Sequence, residues 1–131
     1  MSPELDDALC RDFPLLYRQR HGSMRETLMC WGFECGPGWE PLIRRLSEKL
    51  EPYIAAMEED PDMGRPCADQ VKEKYATLCY YMSHYDDQIE AWIDEAEAES
   101  AVTCEKCGQP GVLRGKGWLS TRCDECWVDN R

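Results

Sequence analysis

The last 28 residues of the chain hold two cysteine pairs, Cys104-Glu105-Lys106-Cys107 and Cys123-Asp124-Glu125-Cys126, with 15 residues between them. No other feature restricts the fold as much. A segment this short cannot bury enough apolar surface to hold itself together, so it needs a cross-link. Each Cys-x-x-Cys can wrap around one side of a metal ion, and the intervening residues suffice for a small hairpin that returns the second pair to complete a tetrahedron. The spacing therefore predicts one structural zinc ion, Zn2+, bound by Cys104, Cys107, Cys123 and Cys126. A disulfide pair, an iron–sulfur centre or free thiols are the alternatives. Four thiolates leave no open coordination position, so such a site stabilises the fold and activates no water.

Charge limits the partners. The formal net charge is -11, and it is unevenly placed: residues 1–83 hold 15 acids and 10 bases, residues 84–103 hold seven acids and no base, and residues 104–131 hold four acids and five bases. Zinc bound by four thiolates would bring the total to about -13. Most of this surface repels nucleic acid, which argues against reading the cysteine hairpin as a DNA-binding finger. Proteins with basic grooves are attracted to it. Nine cysteines, an odd number, with no basic-then-apolar leader, fit a reducing cytoplasm, and no stretch approaches the length of a membrane span.

The pattern along the chain predicts an α+β fold: two main amphipathic helices against a short antiparallel sheet, with a zinc ribbon-like knuckle docked on one end. Residues 1–101 form the core and residues 102–131 the metal module. Ser2-Pro3 reads as an N-cap and first-turn proline for a short helix with Leu5, Leu9 and Phe13. Leu28 to Phe33 reads as a short strand. Trp39, Leu42, Ile43, Leu46, Leu50, Tyr53, Ile54 and Met57 recur at helical spacing, with Pro52 predicted to kink that helix or split it in two. Leu78, Tyr80 and Met82 alternate as in a strand, whereas Lys72 to Ala76 fits helix or turn as well. Ser83 with Asp86 can open a second helix through Ser100 as a capping box, its stripe being Ile89, Trp92, Ile93 and Ala96. Val112-Leu113 and Trp118-Leu119 read as the strands of the metal hairpin, with Gly115 and Gly117 at its turn.

Gln70-Val71-Lys72-Glu73-Lys74-Tyr75 followed by Thr77-Leu78, together with Gly32-Phe33, Gly38-Trp39, Cys104-Glu105-Lys106-Cys107-Gly108 and Gly117-Trp118, resembles a family of small bacteriophage and prophage proteins. The resemblance spans roughly residues 24–126, and Ala76 departs from it, standing where the family has glycine. The family has no established catalytic residue. The resemblance implies an accessory role inside a bacterial host cell; phage accessory proteins commonly block host defence by binding a host protein, anti-CRISPR proteins among them.

Catalytic candidates are thin. His21 and His84 are the only histidines and belong to no recognisable triad; Cys30 and Cys35 read as core packing or a second metal site. No phosphate loop or zinc-hydrolase helix occurs. Asp86, Asp87, Glu90, Asp94 and Glu97 share one helix face and can act as a nucleic-acid-mimicking row, as another protein contact, or as an ordinary solvated surface. Trp127, next to the last cysteine, reads as a cover for the thiolates or as a contact residue. The expectation is a non-enzymatic, acidic inhibitor that binds a host protein, with a nucleic-acid-handling defence complex as the partner class. The alternative is a small regulatory zinc protein whose hairpin, with Arg114, Lys116 and Arg122, binds nucleic acid directly.

Overall fold

The computed structural model describes residues 1–25 and 27–128. Among these residues four α-helices and five strands follow in the order α1 (Pro3–Asp12), β1 (Phe33–Glu34), α2 (Glu40–Ala56), β2 (Ala68–Lys74), β3 (Thr77–Met82), α3 (Asp87–Ser100), β4 (Val112–Arg114), β5 (Ser120–Arg122) and α4 (Asp124–Val128). Strands β1, β2 and β3 make one sheet, and β4 with β5 a second, two-stranded one. The first sheet is built on an antiparallel β2–β3 hairpin, to which the two-residue β1 is added in parallel.

Helix α2 buries the stripe read from its spacing: Leu42, Ile43, Leu46, Leu50 and Ile54 all lie in the core, with Trp39 fully buried just ahead of it. It runs through Pro52 without a break. Pro52 is exposed, so water can reach the Glu48 carbonyl that loses its donor there. The expected strand before Gly36 shrinks to two residues, since Met29–Trp31 forms a 3-10 turn instead. Glu51 supplies what periodicity could not show, its two carboxylate oxygens accepting the Leu15 and Leu16 amides at 2.8 Å each and so tying the irregular stretch after α1 to α2.

Strand β2 extends through Lys74, so Lys72 to Lys74 are strand, while Tyr75 and Ala76 form a turn as the sequence allowed. A register shift between Ala68 and Gln70 changes the alternation, so that Ala68 and Val71, three residues apart, both face the core. That bulge hid the strand from a period-two reading. A buried hydroxyl chain crosses the core: Tyr80 donates to Tyr17 at 2.8 Å, Tyr17 lies 2.6 Å from Ser47, and Ser47 donates to the Ile43 carbonyl at 2.7 Å. Each member is satisfied, so the chain orients α2 against β3 without leaving an unpaired polar group.

Helix α3 has a different cap from the one expected. Asp86 is the N-cap and its Oδ1 accepts the Ile89 amide at 2.8 Å, while the Ser83 hydroxyl accepts the Cys67 amide at 3.0 Å. Ser83 therefore closes the end of the hairpin and takes no part in a capping box.

Candidate metal centre

The chain leaves α3 at Ser100 and reaches the first cysteine pair within four residues. The four sulfurs of Cys104, Cys107, Cys123 and Cys126 all lie within 4.8 Å of one another, and Cys107 Sγ is 3.6 Å from Cys123 Sγ. A disulfide needs about 2.05 Å. A tetrahedron of sulfurs about 2.3 Å from a central metal has edges of about 3.8 Å, so the cluster fits a four-thiolate metal ion and not a disulfide. Among the described residues this is the one such group. Cys35 lies in the core instead, its thiol pushed up to about 12 by burial first and by Glu105 next, and Cys30 joins no ligand group.

Local backbone geometry prepares the thiols. Burial on its own raises the Cys104 thiol, but the amides of Cys123, Cys107 and Lys106 outweigh it and bring the thiol down to about 6. Gly108, with φ of 84°, turns the first pair so that its amide donates to the Cys104 carbonyl at 2.9 Å. In the second pair, the Cys126 amide donates to Cys123 Sγ at 3.4 Å. Cys126 is pushed up to about 12, by its hydrogen bond with Cys123 first, then by burial and by Cys107 and Cys104. Crowded thiols compete in this way because each thiolate formed raises the cost of ionising the next, and a cation bound between them would relieve that repulsion.

The hairpin between the pairs differs from expectation at its second strand, which is Ser120–Arg122, not Trp118-Leu119. Ser120 and Thr121 are buried although polar, and Trp118 stands exposed in the turn. The reason is docking. Thr121 Oγ1 donates to the Ala76 carbonyl at 2.7 Å, Trp39 Nε1 donates to the Thr103 carbonyl at 2.8 Å, and Gly38 donates its amide to the Glu105 carbonyl at 2.7 Å. The Gly36 amide adds a bond to Glu105 Oε2 at 2.8 Å. Thr121 thus faces the core because it bonds to a turn of it, while the Ser120 hydroxyl accepts from Arg122 of its own strand.

Ala76 sits with Tyr75 in the two-residue turn between β2 and β3, and both are left-handed with φ of 70° and 53°. Such a conformation costs a residue with a Cβ roughly 1–2 kcal/mol. Bonds at both ends offset it, since the Ala76 amide donates to Glu73 Oε2 at 2.7 Å and its carbonyl takes the Thr121 hydroxyl.

The acidic residues of α3 do not form one equivalent row. Asp86 is committed to the cap and to the Tyr53 hydroxyl at 2.6 Å; burial raises its carboxyl, but Tyr53 and the Ile89 and Gln88 amides hold it below the usual carboxylate range. Glu97 is half-buried, and burial, then the charge of Asp94, pushes its carboxyl up. Asp87, Glu90 and Asp94 are exposed and make no ion pair among the described residues, whereas Glu95 and Glu99 on the other side pair with Lys49 and Arg45 of α2. Trp127 is half-buried on α4, where its amide donates to the Cys123 carbonyl at 3.0 Å.

The Glu97 shift predicts a pH effect. With the folded carboxyl raised above its unfolded value, the folded state holds the proton more tightly, so Glu97 contributes less to stability as pH rises from the unfolded value through the folded one. Glu97→Gln is therefore expected to melt higher than wild type at pH 7 and to lose that advantage in acid; thermal unfolding at both pH values checks the sign.

Among the described residues no helix is long and apolar enough to cross a membrane. Comparison with family models, with curated proteins and with solved structures gave no match.

Proposed function

We propose that the chain is a non-enzymatic binding protein, stabilised by one structural zinc ion, that occludes a basic groove on a host protein. The reading includes a phage or prophage origin, a bacterial cytoplasm, and a nucleic-acid-handling defence complex as the partner class. Thiolates favour soft or borderline cations, and a closed tetrahedral set of four suits zinc, which here would be held by Cys104, Cys107, Cys123 and Cys126 and would supply rigidity alone. The observation that carries the binding reading is the carboxylate face of Asp87, Glu90 and Asp94, which makes no ion pair among the described residues, on a helix anchored along its other side. Glu90 and Asp94 are one helical turn apart, about 6 Å, which is of the order of the spacing between successive phosphates on a strand.

The direct nucleic-acid reading is weaker. Arg114 is tied to Asp124 at 2.5 Å and Arg122 to the Ser120 hydroxyl at 2.8 Å, which leaves Lys116 as the uncommitted base of the hairpin among the described residues. A mobility-shift assay with random DNA at low salt is expected to show no complex.

The main test reverses charge at Asp87→Lys, Glu90→Lys and Asp94→Lys, and spares Asp86 because it caps the helix. Wild-type protein should capture from bacterial lysate a protein that duplex DNA releases, and the triple variant should lose that capture about tenfold or more with its circular dichroism unchanged. Capture that ignores both the triple variant and added DNA would overturn the reading.

A further inference from the structure

Two turns far apart in sequence bring exposed aromatic rings to one cleft. Tyr75 lies in the turn between β2 and β3 and Trp118 in the turn between β4 and β5, and they are 75% and 87% exposed. Both line a cleft of about 190 Å³ together with Glu73, Gly117 and Leu119. Rings this exposed add little to the core, so packing does not account for them.

Their placement is nevertheless built. The Thr121 hydroxyl clamps the Ala76 carbonyl, which fixes the Tyr75 turn against β5. Gly115, with φ of 95°, lets the other turn close so tightly that a Cβ there would stand 2.1 Å from the Trp118 carbonyl oxygen. The cleft therefore exists only while the metal hairpin is docked.

Its chemistry selects a cation. Glu73 is the one charged residue in the lining; its Oε2 accepts the Ala76 amide, and its Oε1 has no partner among the described residues. Lys74 Nζ lies 5.7 Å from the Tyr75 ring centroid, so that ring already attracts a positive charge of this chain. The net charge of -11 favours the same sign of ligand. A guanidinium combines a flat face for stacking on aromatic rings with edge donors for a carboxylate, which an ammonium does not.

The geometry points to an aromatic cage for an arginine side chain of a basic peptide segment, with Tyr75 and Trp118 against the guanidinium and Glu73 accepting from its edge. The inference rests on the proposed basic partner only for the source of that arginine, and it uses a surface other than the α3 face.

The test titrates full-length, zinc-loaded protein with the capped peptide Gly-Arg-Arg-Gly and follows the indole signals by NMR. A saturable shift of the Trp118 indole is expected, and the same peptide with citrulline in place of arginine should bind about tenfold more weakly. Trp118→Ala, Tyr75→Ala and Glu73→Gln should each weaken binding about three- to tenfold. Glutamine keeps an acceptor for the Ala76 amide, so the turn stays closed. Equal binding of the citrulline peptide, wild-type affinity in Tyr75→Ala, or a Trp118 shift with oligo-dT but not with the peptide would each overturn the cage. The triple lysine variant of α3 should keep the Trp118 shift, so either reading can fail alone; its loss there counts against the cage.

Discussion

Chelation of the bound metal, or Cys104→Ser, is expected to unfold the C-terminal hairpin and to lower the melting temperature of the whole chain by about 10 °C or more. The hairpin has almost no core of its own, since Val112 and Leu113 of β4 both lie exposed. What holds it in place are the cluster of four cysteines and the bonds that dock it. Structural zinc sites in small modules contribute about 10–16 kcal/mol of binding free energy, and even a modest part of that exceeds the few kcal/mol by which such a segment could hold together unaided. The loss spreads inward because Trp39, fully buried, then loses the Thr103 carbonyl as partner for its indole N–H, and the Tyr75–Ala76 turn loses Thr121. Metal analysis of native protein, with calorimetry before and after chelation, checks this. Protein without stoichiometric metal that melts identically in both states would refute the metal centre.

The smallest substitution with a large expected effect is Gly38→Ala, at about 3 kcal/mol, or roughly 10 °C in melting temperature. The added Cβ would stand 2.2 Å from the Cys104 carbonyl oxygen and 2.6 Å from the Glu105 carbonyl carbon and oxygen. These are backbone atoms held by the knuckle, and the Gly38 amide is bonded to one of them, so neither side can withdraw. Gly38 needs no left-handed conformation; it is the approach of two backbones that excludes a side chain. Because the same contact shapes the first cysteine pair, zinc should also be lost more readily in a chelator competition. A variant that melts and holds zinc like wild type would show that the hairpin does not rest on the Gly36-Pro37-Gly38 loop.

The four clustered cysteines, the three longer helices and the turn glycines of the C-terminal hairpin were legible in the sequence because each depends on neighbours in the chain. Cys-x-x-Cys spacing is set by the reach of a tight backbone turn, the α2 stripe by 3.6 residues per turn, and the Ser2-Pro3 start by local capping. The cap of α3 was misassigned for a related reason: Ser83 and Asp86 are both capable caps, and only the distant Cys67 amide decides which one is left for the helix.

What the tertiary structure alone decided are the relations between segments remote in sequence. The bulge in β2 turns both Ala68 and Val71 to the core, and the burial of Thr121 goes with the carbonyl that waits at Ala76. The division of the acidic helix into committed and free carboxylates depends on Tyr53, Lys49 and Arg45 of α2. Composition could count those charges, but pairing is a matter of distances of a few ångströms between elements, and such distances exist only once the chain has closed on itself.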